Sequence, residues 1–346
     1  MCTHTLCHSR YHPMHCLDDR YGNKLASCSS DQKIKIYTLN DGISSGELTP
    51  TDSVDTDQWT LSQTITAHNT SILKLSWCHP EFGTLLASLS SDKTIHIYQL
   101  YQHTHKRVAK INEFNDSITC IKFVPRHLGL KLCIGSIDGT VRLYDCNDII
   151  NLASWTLCDT IDCTQHNNNN NLSSNTTNNK HNNAIHSISF SNNMFDVAMI
   201  SVAVDNTVRI YAQSNQSQPS NTYTYTPNSQ SQWISVAELS GHTDVVNDVS
   251  WSELLGRSYH TIATACSDGV VRIYELHSSI VDHTVQLNVK CVAEFNHHHS
   301  PVTRVSWNST GTLLCSTGDD CTGKLYRADY SHHWHQILTL QQNNNN

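Results

Sequence analysis

The sequence predicts an all-β chain folded as a six-bladed β-propeller, and three observations predict it. An aspartate is followed six residues later by a tyrosine at Asp31/Tyr37, Asp92/Tyr98, Asp138/Tyr144, Asp205/Tyr211, Asp268/Tyr274 and Asp320/Tyr326. Around these pairs, segments 25–37 (LASCSSDQKIKIY), 86–98 (LASLSSDKTIHIY), 133–145 (CIGSIDGTVRLYD) and 263–275 (ATACSDGVVRIYE) repeat one pattern. Between the pairs run short segments of alternating apolar and polar residues, the spacing of strands and not of helices. A four-stranded unit cannot bury both faces alone, and arranging about four to eight of them around an axis buries them against one another.

Each repeat supplies four strands, A to D. In the fifth, strand A is expected over 245–251, B over 262–266, a turn at Ser267-Asp268-Gly269, C over 270–274 and D over 290–295. The first repeat has A over about 13–17, B over 24–28, C over 33–37 and D over 59–65, and the last runs from Val302 through Trp334 to Leu340. The blades are expected at about 8–66, 67–114, 115–162, 184–240, 241–296 and 297–340, within one domain over 1–340. Segments 163–183 and 213–232 are rich in Asn, Ser and Gln and read as low-complexity insertions between strands, and 341–346 as a disordered tail.

The turn aspartates Asp31, Asp92, Asp138, Asp205, Asp268 and Asp320 have a structural job. A carboxylate in a tight B–C turn accepts backbone N–H groups and a donor from the preceding loop. His242 is the expected donor in the fifth repeat and His68 in the second. An aspartate used six times in one local setting is a fold element rather than a catalyst. These features resemble WD-type repeats, with tyrosine in the six places where tryptophan is commonest.

Composition narrows the function. Net charge is -8 with only 22 Lys and Arg, which argues against direct nucleic-acid binding. No run of roughly 18 apolar residues is present, so no membrane insertion is expected, and Met1 to His15 lacks the apolar core of a secretory signal. The 14 cysteines, among them Cys28, Cys120, Cys133, Cys266 and Cys315, are scattered without a Cys-x-x-Cys pair and read as free thiols. His297-His298-His299 could hold zinc in principle, but it precedes strand A of the last blade, where this repeat type places a structural histidine, so no metal is expected.

The tryptophans are accounted for by the strands. Trp77, Trp251 and Trp307 close A strands, where blades three and four use Phe123 and Phe190, while Trp59, Trp155, Trp233 and Trp334 open D strands. None remains to line a ligand cage. There is no Gly-rich phosphate loop, Gly-x-Ser-x-Gly elbow or His-Glu-x-x-His, so neither an enzyme nor a cofactor is expected.

Ring closure is the more informative point. WD-type propellers commonly close by exchanging a terminal strand, whereas here the first and last blades each have four strands of their own. The expectation is an open propeller with a seventh blade supplied by a partner, because unpaired strand edges and apolar blade faces invite aggregation unless covered. The residues expected to border that slot are Met14, Cys16 and Leu17 on one side and Val302, Val305, Leu313 and Leu325 on the other.

Loop sequences sharpen the family. His79-Pro80-Glu81-Phe82-Gly83 with LLAS, FVPRHLGLKL (123–132), SIDGTVRLYD running into NDIINLASWTL (147–157), LGRSYH (255–260) and SWNSTGTLLCSTGDD (306–320) resemble the Seh-type nucleoporins, homologues of the Sec-thirteen proteins. The likeness covers five of the six blades and includes loops. It departs at MHCLDDRYG (14–22), where a more apolar A strand is usual, at the Asn-rich insertion, and at GKLYRADY in the last blade.

The resemblance implies a non-enzymatic scaffold of the Y-shaped subcomplex in the nuclear pore outer ring, at the nuclear envelope. Its implied partners are an α-solenoid nucleoporin that donates a blade and other nucleoporins of that subcomplex. It also implies a second role in the SEA/GATOR complex of nutrient signalling at the lysosomal or vacuolar surface. The alternative is a Sec-thirteen-type propeller of the vesicle coat for export from the endoplasmic reticulum.

Overall fold

The computed structural model describes residues 13–18, 22–40, 58–101, 104–164, 183–192, 197–214, 232–254, 256–281 and 284–341. The chain is all-β and forms six four-stranded antiparallel sheets. Blade one is β1 (Pro13–Asp18), β2 (Lys24–Ser29), β3 (Lys33–Asn40) and β4 (Gln58–Thr66), and blade two β5 (Ile72–Trp77), β6 (Leu85–Ser90), β7 (Ile95–Leu100) and β8 (His105–Ile111). Blade three is β9 (Ile118–Phe123), β10 (Lys131–Ser136), β11 (Thr140–Asp145) and β12 (Thr156–Asp162), and blade four β13 (Ile185–Phe190), β14 (Met199–Val204), β15 (Thr207–Ser214) and β16 (Gln232–Leu239). Blade five is β17 (Val246–Trp251), β18 (His260–Cys266), β19 (Val271–Val281) and β20 (Thr284–Phe295), and blade six β21 (Val302–Trp307), β22 (Leu313–Gly318), β23 (Thr322–Ala328) and β24 (Trp334–Gln341). In every sheet the strands pair in sequence order. The insertions expected over 163–183 and 213–232 fall, apart from residues at their ends, outside the described residues, as does 342–346.

Two compact units make up the chain: 1–134 with 142–159, and 135–141 with 160–346. In the first, Ala26, Cys28, Ile34 and Ile36 of blade one pack on Ile72, Leu75, Leu86 and Tyr98 of blade two. The opposite face of blade two, with Leu85, Ala87, Leu89, Ile95 and Ile97, packs on Ile118, Ile121, Leu132 and Tyr144 of blade three. Strand alternation makes this possible, since successive side chains point to opposite faces and blade two spends one face on each of these neighbours. Residues such as Leu85, Leu86 and Ile95 are fully buried, each contributing about 1.5–3 kcal/mol.

The second unit repeats the scheme. Met199, Ala203, Val208 and Ile210 of blade four meet Val246, Val249, Trp251 and Ile262 of blade five, and Ala263, Ala265, Val271 and Ile273 meet Val302, Val305, Leu314 and Tyr326 of blade six. Asp248 on β17 ties this unit together and escaped the sequence reading. Its Oδ1 accepts the Ser187 hydroxyl of blade four at 2.6 Å and its Oδ2 the Val305 N–H of blade six at 3.2 Å. The indole Nε1 of Trp307 adds a bond to the Ser250 carbonyl at 3.0 Å.

Several expectations are corrected. The C–D hairpin of blade five is far longer than expected, with 11 and 12 residues in β19 and β20. Register runs unbroken from Tyr274↔Cys291 to Val281↔Thr284, because apolar residues alternate on both strands and Leu287 and Val289 pack on the core shared with blade four. Trp155 precedes β12 instead of opening it, and its Nε1 donates to the Leu152 carbonyl at 3.0 Å.

Asp205 also differs from the other turn aspartates. In blades one, two, five and six the last B–C pairs are Cys28↔Ile34, Leu89↔Ile95, Ala265↔Val271 and Thr317↔Gly323, three residues either side of the aspartate. In blade four Val204 pairs directly with Thr207, leaving Asp205 and Asn206 as a two-residue turn with Asp205 at φ 46°. That left-handed conformation is one that Asp and Asn tolerate.

Candidate partner-binding surface

The turn aspartates are bound as structural groups. Asp31 accepts the Lys33 N–H at 3.1 Å, and Asp92, Asp138 and Asp320 each accept both the N–H and the hydroxyl of the threonine two residues on. In blade six, His298 Nδ1 lies 2.9 Å from Asp320 Oδ2 and His298 Nε2 lies 2.7 Å from Ser316 Oγ, while Ser316 Oγ lies 3.4 Å from the Tyr326 hydroxyl. Asp, His and Ser in this order have the connectivity of a hydrolase triad. Ser316 and Tyr326 are fully buried and His298 nearly so, so no substrate reaches the hydroxyl and the network serves the fold. Burial pushes the Asp320 carboxyl up, but hydrogen bonds from Thr322 and His298 overcome it and hold the group at about 2. Burial lowers the His298 pKa, opposed by Asp320. With both ring nitrogens engaged, His298 has no lone pair for zinc, and no group of three His, Cys, Asp or Glu suited to a metal occurs among the described residues.

Other blades vary this network in physically consistent ways. In blade two His68 contacts Ser88 at 2.7 Å, but the Thr94 hydroxyl stands between its Nδ1 and Asp92, at 3.2 and 2.6 Å. In blade five the expected His242–Asp268 contact is replaced. His242 Nε2 meets the Thr264 hydroxyl at 2.9 Å, while Asp268 pairs with Arg272 at 2.9 Å and accepts the Thr243 hydroxyl at 3.1 Å. An arginine four residues along strand β19 reaches the carboxylate directly, which displaces the histidine. Blade three is apolar at both positions, with Phe114 and Ile134 in place of histidine and hydroxyl, and the Phe114 and Tyr144 rings lie 6.0 Å apart. Exchanging both partners together avoids an orphaned buried donor.

The slot residues separate into three groups. Met14, Cys16 and Leu17 lie on β1, with Cys16 opposite Ser27 and Leu17 opposite Ala26. Val302 and Val305 are buried in the core that blade six shares with blade five. Leu313 and Leu325 lie on the other face, because register pairs Leu313 with Arg327, Cys315 with Leu325, and Leu325 with Leu338, whereas Leu314, Ser316, Lys324 and Tyr326 form the face toward blade five. Leu313, Cys315, Thr317, Leu325, Leu338 and Leu340 thus share one face of blade six.

Among the described residues, the B strand of blade six is the least buried of the six. Strands β6, β14 and β18 are buried at every residue and β10 at all but its first, but β22 alternates, with Leu313 and Cys315 half-buried and Thr317 exposed. Leu338 is 45% exposed and the adjoining Ile337 52%. The sequence carried a signal for this. Where other blades pair Leu89 with Ile95, Ala265 with Val271 and Cys28 with Ile34, blade six pairs Thr317 with Gly323. Gly323 has ordinary φ, and a Cβ there would meet Leu340 at no closer than 3.7 Å, so neither backbone nor packing within the blade demands glycine.

Comparison with known proteins follows the same periodicity. The family model "WD domain, G-beta repeat" matches residues 59–99, 106–145, 233–275 and 289–327, each span running from a D strand through the C strand of the next blade. Nucleoporin seh1 of Schizosaccharomyces pombe is 31% identical over 336 residues, covering 90% of this chain and 88% of the relative. Nucleoporin SEH1 of Osmerus mordax is 32% identical, covering 91% and 80%, and that of Homo sapiens 31% identical, covering 91% and 81%. The chain belongs to the Seh1 nucleoporin family. Seh1 nucleoporins are WD-repeat propellers without enzymatic activity, in keeping with turn aspartates and histidines that serve the fold.

Proposed function

We propose that the chain is a structural scaffold of the nuclear pore, in the Y-shaped subcomplex of the outer ring, and that it works by accepting a blade from an α-solenoid nucleoporin. Its relatives' names support the nucleoporin role and the nuclear pore location. The single observation that carries the finer reading is the solvent-open face of blade six, with half-buried Leu313, Cys315 and Leu340 beside the exposed Leu338. A partner strand or strands laid against this face would bury its apolar side chains, and Thr317 and Gly323 leave room for the close approach of another backbone. Met14, Cys16 and Leu17 of blade one are the proposed second border of the slot. The same surface would serve the second role, in the SEA/GATOR complex at the lysosomal or vacuolar membrane, with a different solenoid using the one acceptor.

Co-expression with a candidate solenoid nucleoporin tests the proposal. The complex is expected to co-purify at one-to-one stoichiometry and to unfold at a higher midpoint than the isolated chain, since a ligand at 100 times its Kd adds about 2.7 kcal/mol. An unfolding midpoint indifferent to the partner overturns it. Co-purification with a vesicle-coat solenoid in place of the nucleoporin would assign the chain to the Sec-thirteen-type alternative.

A further inference from the structure

A cleft of about 400 Å³ opens between blades one and two, lined by Lys24, Ile36, Thr38, Ser62, Gln63, Leu100 and Tyr101. Its floor is apolar, from Ile36 and Leu100, both buried in the core the two blades share. One wall is Tyr101, half-exposed, whose carbonyl accepts the Gln63 Nε2 donor at 2.8 Å and whose hydroxyl donates to Gln99. The tyrosine is thereby held in place with an accessible ring.

Basic side chains stand beside the cleft. Register sets His105 opposite Leu100 and Arg107 opposite Tyr98, on the face from which Leu100 enters the cleft. His105 packs edge-on to Tyr98 with ring centroids 6.3 Å apart, and both His105 and Arg107 are exposed. Lys24 in the lining and Arg107 beside it put positive charge next to the cleft, and none of the described lining residues is acidic.

We infer that this cleft binds an extended acidic peptide segment of a partner protein, with a large aliphatic or aromatic side chain on Ile36, Leu100 and Tyr101 and a neighbouring carboxylate toward Arg107 and Lys24. The pairing follows from chemistry on both sides: an apolar floor takes an anchor side chain, and a carboxylate pairs with Arg in a forked geometry. Polar groups at Thr38 and Ser62 offer hydrogen bonds to an extended backbone.

The test pans a library of random displayed peptides against the full chain and measures the enriched peptides by fluorescence anisotropy. Enrichment of Asp or Glu next to Leu, Ile or Phe is expected, with binding that weakens at high salt. Arg107→Glu is expected to lower affinity about tenfold or more, and serine in place of the peptide's anchor side chain to abolish binding. Both protein variants in the assay, Arg107→Glu and the blade-five control Lys290→Glu, change exposed residues and are checked for an unaltered unfolding midpoint. Enriched peptides without acidic residues, or affinities equal for Arg107→Glu and the parent, overturn the inference. Residues 41–57 carry Asp41, Glu47, Asp52, Asp55 and Asp57 with no basic residue. If peptides bind only after that segment is deleted, the occupant is the chain's own segment, and the partner reading is overturned.

Discussion

Replacing His298 with alanine removes the imidazole that joins Asp320 to Ser316 in blade six, at 2.9 and 2.7 Å. The bond to the carboxylate is charge-assisted and worth about 1.5–3 kcal/mol, and the one to the buried serine about 1 kcal/mol. Ser316 keeps only its longer contact with Tyr326, at 3.4 Å. Loss of the ring's own packing adds a cavity cost, so the expected total is about 3–5 kcal/mol. His299 stands next in sequence but is exposed, and His299→Ala is expected to change stability by less than about 0.5 kcal/mol. Urea unfolding followed by tryptophan fluorescence measures both. If the two variants unfold at the same midpoint, or if His298→Ala costs less than about 1 kcal/mol, the network does not carry the structural load assigned to it.

Three other outcomes are expected. Burial and the neighbouring His96 push His68 down to about 4, and burial and Arg272 push His242 down to about 4. Both therefore bind fewer protons folded than unfolded, and stability is lost as pH falls from 6.5 toward 4, by up to about 3 kcal/mol for each; stability flat across that window in a urea series at each pH would contradict the burial of neutral imidazoles. Asp248→Ala leaves the Ser187 hydroxyl and Val305 N–H without their shared acceptor and is expected to cost about 2–4 kcal/mol and to raise amide exchange in both β13 and β21. Gly311, at φ 63°, lies where a Cβ would sit 2.8 Å from the Glu253 carbonyl oxygen and closer still to the Ser252 hydroxyl, so Gly311→Ala should lower the unfolding midpoint by the equivalent of about 1–3 kcal/mol.

Much of the fold was legible because it rests on local, repeated chemistry. The spacing of aspartate and tyrosine located the B–C hairpins, and period-two alternation gave the strands of blade one to within three residues, β3 running furthest beyond its expected end. What was missed depends on partners distant in sequence. The long hairpin of blade five is held by Leu287 and Val289 on a neighbouring blade, and the tie made by Asp248 joins Ser187 and Val305 across three blades. Arg272 captured Asp268 because the side chain four residues on is nearer than the loop histidine. The slot residues expected on blade six fall on both of its faces. Val302 and Val305 resemble Leu313 and Leu325 in composition, and only strand register tells which of them turn toward blade five. The Thr317–Gly323 pair was the readable clue, visible once the same position was compared across blades.

Whether the open face of blade six accepts a partner's strands is measured by the affinity of a solenoid nucleoporin for the Leu338→Asp variant. Leu157 on the D strand of blade three is similarly exposed, 49% against 45%, and Leu157→Asp provides the control. Calorimetric titration is expected to give a loss of about tenfold or more, at least 1.4 kcal/mol, for Leu338→Asp and none for Leu157→Asp. Equal affinities for the two variants and the parent would contradict the claim.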